Sequence, residues 1–259
     1  MEMACQKRKL VINLRREISL KELSTVLAYP SRDRRLTVSR VVELELLGVE
    51  AILLEGPVIL PGGVRVLGKG TNSIVLKAWH PNYGLVLVKA LRTDASRDTL
   101  LKEAEILHLV NSIGLRPRIY VASASFIVRE YVKGEPLESW FTSVSPEDAR
   151  KAVSLLLDQL YALDRAGISH GELSRPGDHV LVTDEGYPVI IDYESASLTR
   201  AKRNLTQFIQ FILFRRTDLA EKVIGRRVRK DEIVEILRRY KTEPSLVLLC
   251  ELKKLLGLQ

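Results

Sequence analysis

Lys89, Glu103, Glu172 and Asp192 are groups whose types and order along the chain suit one kind of chemistry. Lys89 ends the apolar run LVLV, and Glu103 and Glu105 fall on the apolar-periodic stretch that follows. Asp192 follows the apolar VII, and His170 and Glu172 lie in the polar segment ISHGELSRPGD before it. Upstream of all of them, VLGKGTNSIVLKA sets Gly68, Gly70 and Ser73 in a tight turn between two strands. Phosphoryl transfer needs backbone amides near the phosphates and a cation on the nonreacting ones. It also needs carboxylate to hold metal and a carboxylate that orients the acceptor hydroxyl. Taken singly, each group also has a purely structural reading: a solvated strand-end lysine, helix surface charge, a turn-capping aspartate, a plain hairpin.

The elements that must position these groups follow from the hydrophobic periods. Before residue 50 the pattern is helical. Ser19 and Glu22 form a capping box for a helix that stops before Pro30. A second helix runs from Arg34 to Leu47, with Val38, Val41, Val42, Leu44 and Leu47 as its apolar face and Gly48 as terminator. From Ala51 to Leu91 the period changes to closely spaced strands with short turns, which implies an antiparallel sheet. The helix SRDTLLKEAEILHLVNSIG comes next, its apolar face formed by Leu100, Leu101, Ala104, Leu107 and Leu109, and two strands near RIYVAS and SFIVREYV complete the sheet. Ser145 and Pro146 open a long helix that ends at Gly167. HVLV and PVIID then form a small hairpin, and three helices are expected from about Leu198. A β-rich half with one helix, followed by a helical half with a small hairpin, gives the class α+β.

In this order the residues resemble the protein-kinase-like superfamily. The likeness spans roughly residues 62–215 and is nearest to atypical, archaeal-type members: the RIO-type kinases and the small kinase of the tRNA-modifying KEOPS complex. GKGTNSIV resembles the glycine-rich loop, with Gly68 and Gly70 retained and Ser73 at the third glycine. LVLVK makes Lys89 the counterpart of the phosphate-binding lysine, and KEAEIL selects Glu103 as its partner. REYVKGEPL is similar to the adenine-binding hinge, HGEL to the catalytic H-G-D-L, and IDYE to the metal-binding D-F-G, closest to the I-D-F-E of small-molecule kinases.

The resemblance implies ATP and Mg2+ as cofactors and a serine or threonine hydroxyl of a protein as acceptor. Glu172, Lys89 and Asp192 would be catalytic. The nucleotide would meet Gly68, Gly70, Thr71, Asn72, Ser73, Val75, Lys89, Glu103, Glu130 and Val132. Asp192 would hold metal, and His170 would orient the catalytic loop through a backbone hydrogen bond. It further implies two lobes, residues 51–133 and 134–259, after an N-terminal helical extension, residues 1–50, that is winged-helix-like or packs on the first lobe.

Two departures bear on activity. Glu172 replaces the catalytic aspartate, and its extra methylene reaches about 1 Å further, a misplacement that can cost about 100-fold in rate. The expected metal-binding asparagine falls at Gly177; matching HVLV in register instead offers His179, with Asp178 beside it as the harder ligand. DYESAS also passes directly into LTRAKRNLTQFIQFILF, which leaves no long activation loop. A small-molecule kinase and a nucleotide-binding pseudokinase therefore stand as alternatives.

Composition bounds the partners. The chain of 259 residues is 46% hydrophobic and 28% charged, with two cysteines, Cys5 and Cys250, that lack metal-ligand spacing. Without a membrane-length apolar run or a signal peptide, no membrane partner is expected and the cytoplasm is the expected compartment. Few Asn, Gln, Met and Cys beside many Lys, Arg and Glu match thermophile composition. The net charge is +8, and from residue 200 onward 15 Lys and Arg stand against 7 Asp and Glu, so the excess lies there. EKVIGRRVRKDE concentrates it, either as a solvated helix face or as a surface for RNA or a ribonucleoprotein.

Overall fold

Period-2 alternation decides the first half of the molecule. The computed structural model describes residues 11–13, 19–199, 203–224 and 230–258. Cys5 and the GRRVR core of the basic segment lie outside the described residues. The chain divides into two compact units, one of residues up to 105 with 118–131, the other of 106–117 with residues from 132 on.

The first unit holds β1 (Val11–Asn13), α1 (Leu20–Leu27), α2 (Arg34–Leu46), β2 (Ala51–Leu53), β3 (Val58–Leu60), β4 (Val64–Val66), β5 (Gly68–Lys69), β6 (Ser73–His80) and β7 (Gly84–Leu91). It continues with the start of α3 (Leu101–Ser112), β8 (Ile119–Ala122) and β9 (Phe126–Glu130). Seven strands form one antiparallel sheet in the order β1-β2-β6-β7-β9-β8, with β5 added on β6, and β3 and β4 form a separate hairpin. Ile74, Leu76 and Ala78 of β6, Val86, Val88 and Ala90 of β7, and Phe126 and Val128 of β9 share a core with Leu23, Val26, Leu27 and Leu44 of α1 and α2. The two N-terminal helices thus cover one face of this sheet.

Three details of these helices differ from the expected ones. Ser19 occupies the N-cap of α1 without a side-chain cap bond, while Asp33 caps α2 by accepting from the Leu36 amide at 2.8 Å. The buried face of α2 is Thr37, Arg40 and Leu44, and Val38 and Val42 are half exposed. The reason is Arg40, whose buried guanidinium donates to the carbonyls of Leu27 and Leu91 and so turns the helix toward polar groups that need a donor. On α3, Leu101 and Leu109 are exposed and Ala104, Leu107 and Val110 are buried, as is Leu100 just before it.

The second unit contains β10 (Gly134–Pro136), α4 (Leu137–Ser143), α5 (Pro146–Arg165), β11 (Val180–Thr183), β12 (Pro188–Ile190), α6 (Asn204–Arg215), α7 (Thr217–Ile224), α8 (Lys230–Thr242) and α9 (Leu246–Leu255). Four helices, not three, therefore follow residue 198 among the described residues. Ser145 accepts from the Asp148 amide at 3.1 Å and Pro146 opens α5, as their types dictate. Val153, Leu156, Leu157, Leu160 and Leu163 recur at helical spacing on α5, are buried, and make it the helix on which α6, α7, α9 and β12 pack. Truncating one such leucine to alanine costs about 2–5 kcal/mol. The antiparallel sheet β10-β11-β12 carries the hairpin that leads to Asp192. The fold is α+β with antiparallel sheets. Among the described residues, no helix is long and apolar enough to cross a membrane.

Candidate functional site

In the first unit, Gly68, Val75, Lys89 and Ile127 are register partners across β5, β6, β7 and β9. Residues in register share a sheet face, and strands lie about 4.8 Å apart, so Gly68 sits roughly 10 Å from Lys89 along this row. Alternation turns the row away from the face that α1 and α2 cover. Lys89 is 5% exposed and Glu103 4% exposed, and the Lys89 ammonium donates to both Glu103 oxygens at 2.9 Å. Glu105, its neighbour on α3, is exposed.

The Gly70 amide donates to the Ser73 carbonyl at 2.8 Å and closes the glycine turn. Thr71 is exposed at its tip, but Asn72 and Ser73 are buried. The Asn72 carboxamide oxygen accepts from the Ser96 amide at 2.8 Å and the Ser96 hydroxyl at 2.9 Å, so this side chain is a latch within the fold. Arg92 donates to the Gly70 carbonyl at 2.6 Å and to both Asp94 oxygens at 2.8 and 2.7 Å. The Tyr29 ring lies 5.2 Å from the Lys69 ammonium and 5.1 Å from the Arg92 guanidinium, which ties the α1–α2 turn to the glycine turn.

A Cβ on Gly68 or Gly70 would meet its nearest neighbour at 3.5 or 3.6 Å, ordinary contact distances, and neither has a positive φ. Neither local packing nor a positive φ thus requires glycine at these two positions. Glu130 ends β9; its amide donates to the Arg118 carbonyl at 2.8 Å and its carbonyl accepts from Arg129 at 3.2 Å. Val132, the first residue of the second unit after β9, is buried.

In the second unit, His170 is fully buried and both ring nitrogens meet the backbone. Nε2 lies 3.0 Å from the Ile191 carbonyl, and Nδ1 accepts from the Glu172 amide at 3.4 Å. Burial pushes His170 down to about 4, so the ring is neutral at pH 7. The His170 amide donates to Asn204 Oδ1 at 2.9 Å, and Asn204 Nδ2 donates to Asp164 at 2.9 Å and to the Ile168 carbonyl at 2.7 Å. Asp164 also accepts from the amides of Asn204 and Leu205 and from the Tyr240 hydroxyl. Burial outweighs these bonds and pushes Asp164 up to about 6. This network anchors the segment that carries Glu172.

Glu172 and Asp192 are half exposed, and the His179 ring stands by both: Nε2 is 3.9 Å from Glu172 Oε2 and Nδ1 is 4.0 Å from Asp192 Oδ2. These gaps are too long for hydrogen bonds. The His179 Nδ1 is buried without a partner. Asp178 is exposed, and the ring found beside both carboxylates is that of His179. Asp192 has φ +63° and ψ +75°, a left-handed conformation that costs a non-glycine residue about 1 kcal/mol.

The sequence reading passes over Glu194, Ser195 and Asn204. Asp192 and Glu194 have carboxylate oxygens within 4.8 Å of each other, and Ser195 donates to Glu172 Oε1 at 2.6 Å. The signal lay in IDYES, where a second acid and a hydroxyl follow the aspartate on one tight 3-10 turn, Tyr193–Ser195. Hard divalent cations take carboxylate oxygens, so the pair Asp192 and Glu194 suits magnesium, and the imidazole of His179 suits it less.

No protein-family model matches the chain, and no curated protein matches it. The geometry of these residues is what supports a functional reading.

Proposed function

We propose that the chain is an ATP- and magnesium-dependent phosphotransferase of the protein-kinase-like type, with a serine or threonine hydroxyl as acceptor. The observation that carries this reading is the row Gly68–Val75–Lys89 with the Lys89 ammonium clamped on Glu103. A lysine fixed on a sheet face, in register with a glycine strand that packing does not require, is suited to nucleotide phosphates. Lys89 would bind the α and β phosphates, Val75 would contact the base, and the glycine turn at Gly68 and Gly70 would let the backbone come close to the phosphates. Glu130 and Val132 would offer backbone groups to the adenine. Asp192 and Glu194 would hold magnesium, which neutralises phosphate charge when bound. Glu172 would orient the acceptor hydroxyl and take its proton, while neutral His170 keeps the Glu172 amide in place.

Transfer of label from γ-labelled ATP with magnesium tests the reading. Glu172→Gln should lower the rate about 100-fold or more, within the range for a lost general base. Equal rates would remove Glu172 from the mechanism. A second reading is favoured by the Ser195 hydroxyl on Glu172 Oε1: a nucleotide-binding protein that transfers nothing. ATP would then raise the melting temperature while no label appears on any acceptor.

A further inference from the structure

We propose that Ser195 is itself a phosphate acceptor, modified within its own chain; the proposal rests on the phosphotransferase reading above. The Ser195 hydroxyl donates to Glu172 Oε1 at 2.6 Å, inside the range a carboxylate base needs to take a proton. It is half buried, on the turn that begins at Asp192 and includes Glu194. Ser195 is therefore already where Glu172 would hold the hydroxyl of any acceptor, and a foreign hydroxyl must displace it. In the step, Ser195 Oγ forms a bond to the γ-phosphorus of ATP and the bond from that phosphorus to the β,γ-bridging oxygen breaks. ADP leaves, and the hydroxyl proton passes to Glu172 and then to water. The product places two negative charges beside Glu172, Asp192 and Glu194, so repulsion would drive the modified turn off Glu172 and open the position to a second acceptor.

The full chain is incubated with γ-labelled ATP and magnesium, and label is mapped by peptide mass spectrometry in the wild type, Ser195→Ala and Ser195→Thr. Melting temperatures confirm that each variant is folded. The expected result is about one phosphate per chain on Ser195, with at least a tenfold loss in Ser195→Ala and phosphothreonine in Ser195→Thr. The first-order rate should not change over a tenfold range of protein concentration. Label on added protein or on other residues, with residue 195 unmodified, overturns this proposal and leaves the phosphotransferase reading standing. A rate proportional to protein concentration overturns modification within one chain. Binding of ATP without label anywhere overturns the proposal along with transfer, and no ATP binding overturns both readings at their root.

Discussion

Lys89 and Glu103 meet in a dry ion pair with both carboxylate oxygens bonded at 2.9 Å, whereas Glu172, His179 and Asp192 are partly exposed with gaps of 3.9 and 4.0 Å. The first group is complete without a ligand, because each buried charge is compensated by the other. The second leaves one buried ring nitrogen, His179 Nδ1, unsatisfied, beside Asp192, whose backbone is itself strained. A ligand should accordingly change little at Lys89 and much around His179. The contrast is one of setting: one group fixes a cation in a dry pair, and the other stands partly open to solvent.

The largest effect expected from breaking this contrast is on stability. Lys89→Ala leaves the Glu103 carboxylate buried without its ammonium, so urea unfolding should show a loss of about 3–5 kcal/mol. The burial of both partners sets this cost. Lys89→Leu/Glu103→Leu should recover most of the loss, since an apolar pair of similar volume replaces the ions. If Lys89→Ala is as stable as the wild type, the pair is not the closed unit described above.

A smaller effect tests how the second group is anchored. Folded Asp164 takes its proton at about 6 and the unfolded chain near 3.8, so this residue contributes stability at low pH that is lost as pH rises through 6. His170 does the reverse: the unfolded chain protonates near 6.5 and the folded one at about 4, so its contribution is lost as pH falls through that window. Each is worth roughly 3 kcal/mol, and in the wild type they oppose one another. Asp164→Asn should therefore add a loss of about 3 kcal/mol between pH 6.5 and 4, read by urea titrations at fixed pH. An unchanged pH profile would show that burial does not set these two groups.

The smallest effect sharpens the role of the turn. Gly70→Ala and Gly68→Ala should each change folding stability by less than about 1 kcal/mol, because their Cβ atoms find ordinary contacts. ATP affinity, measured by calorimetry, should nevertheless fall about tenfold, or about 1.4 kcal/mol. Loss of stability with unchanged affinity would make the turn a hairpin and nothing more.

Much of the fold was legible because it depends on local rules. The strands followed from alternation and α5 from Ser145 and Pro146, whereas the choice of Glu103 over Glu105 rested on the resemblance of KEAEIL to a kinase helix. What was not legible depends on distant partners. No sequence pattern announces that Arg40 will satisfy carbonyls 13 and 51 residues away and so bury the polar face of α2. The same holds for Asn72, whose bond to Ser96 makes it structural, and for Asn204, which joins Asp164 to the His170 loop. The choice between Asp178 and His179 stayed open in the sequence because hardness favours one and register the other; the turn Pro176–Asp178 places His179 beside the carboxylates.

The central claim is that a clamped lysine and a half-open carboxylate group serve one transfer reaction. Its most direct measurement is label transferred from γ-labelled ATP with magnesium by the wild type and by folded Lys89→Leu/Glu103→Leu. The wild type should phosphorylate itself or a protein acceptor, and the double variant should be at least 100-fold slower with a near-native melting temperature. Equal transfer by the two proteins, or no transfer by the wild type to any hydroxyl acceptor, would contradict the account.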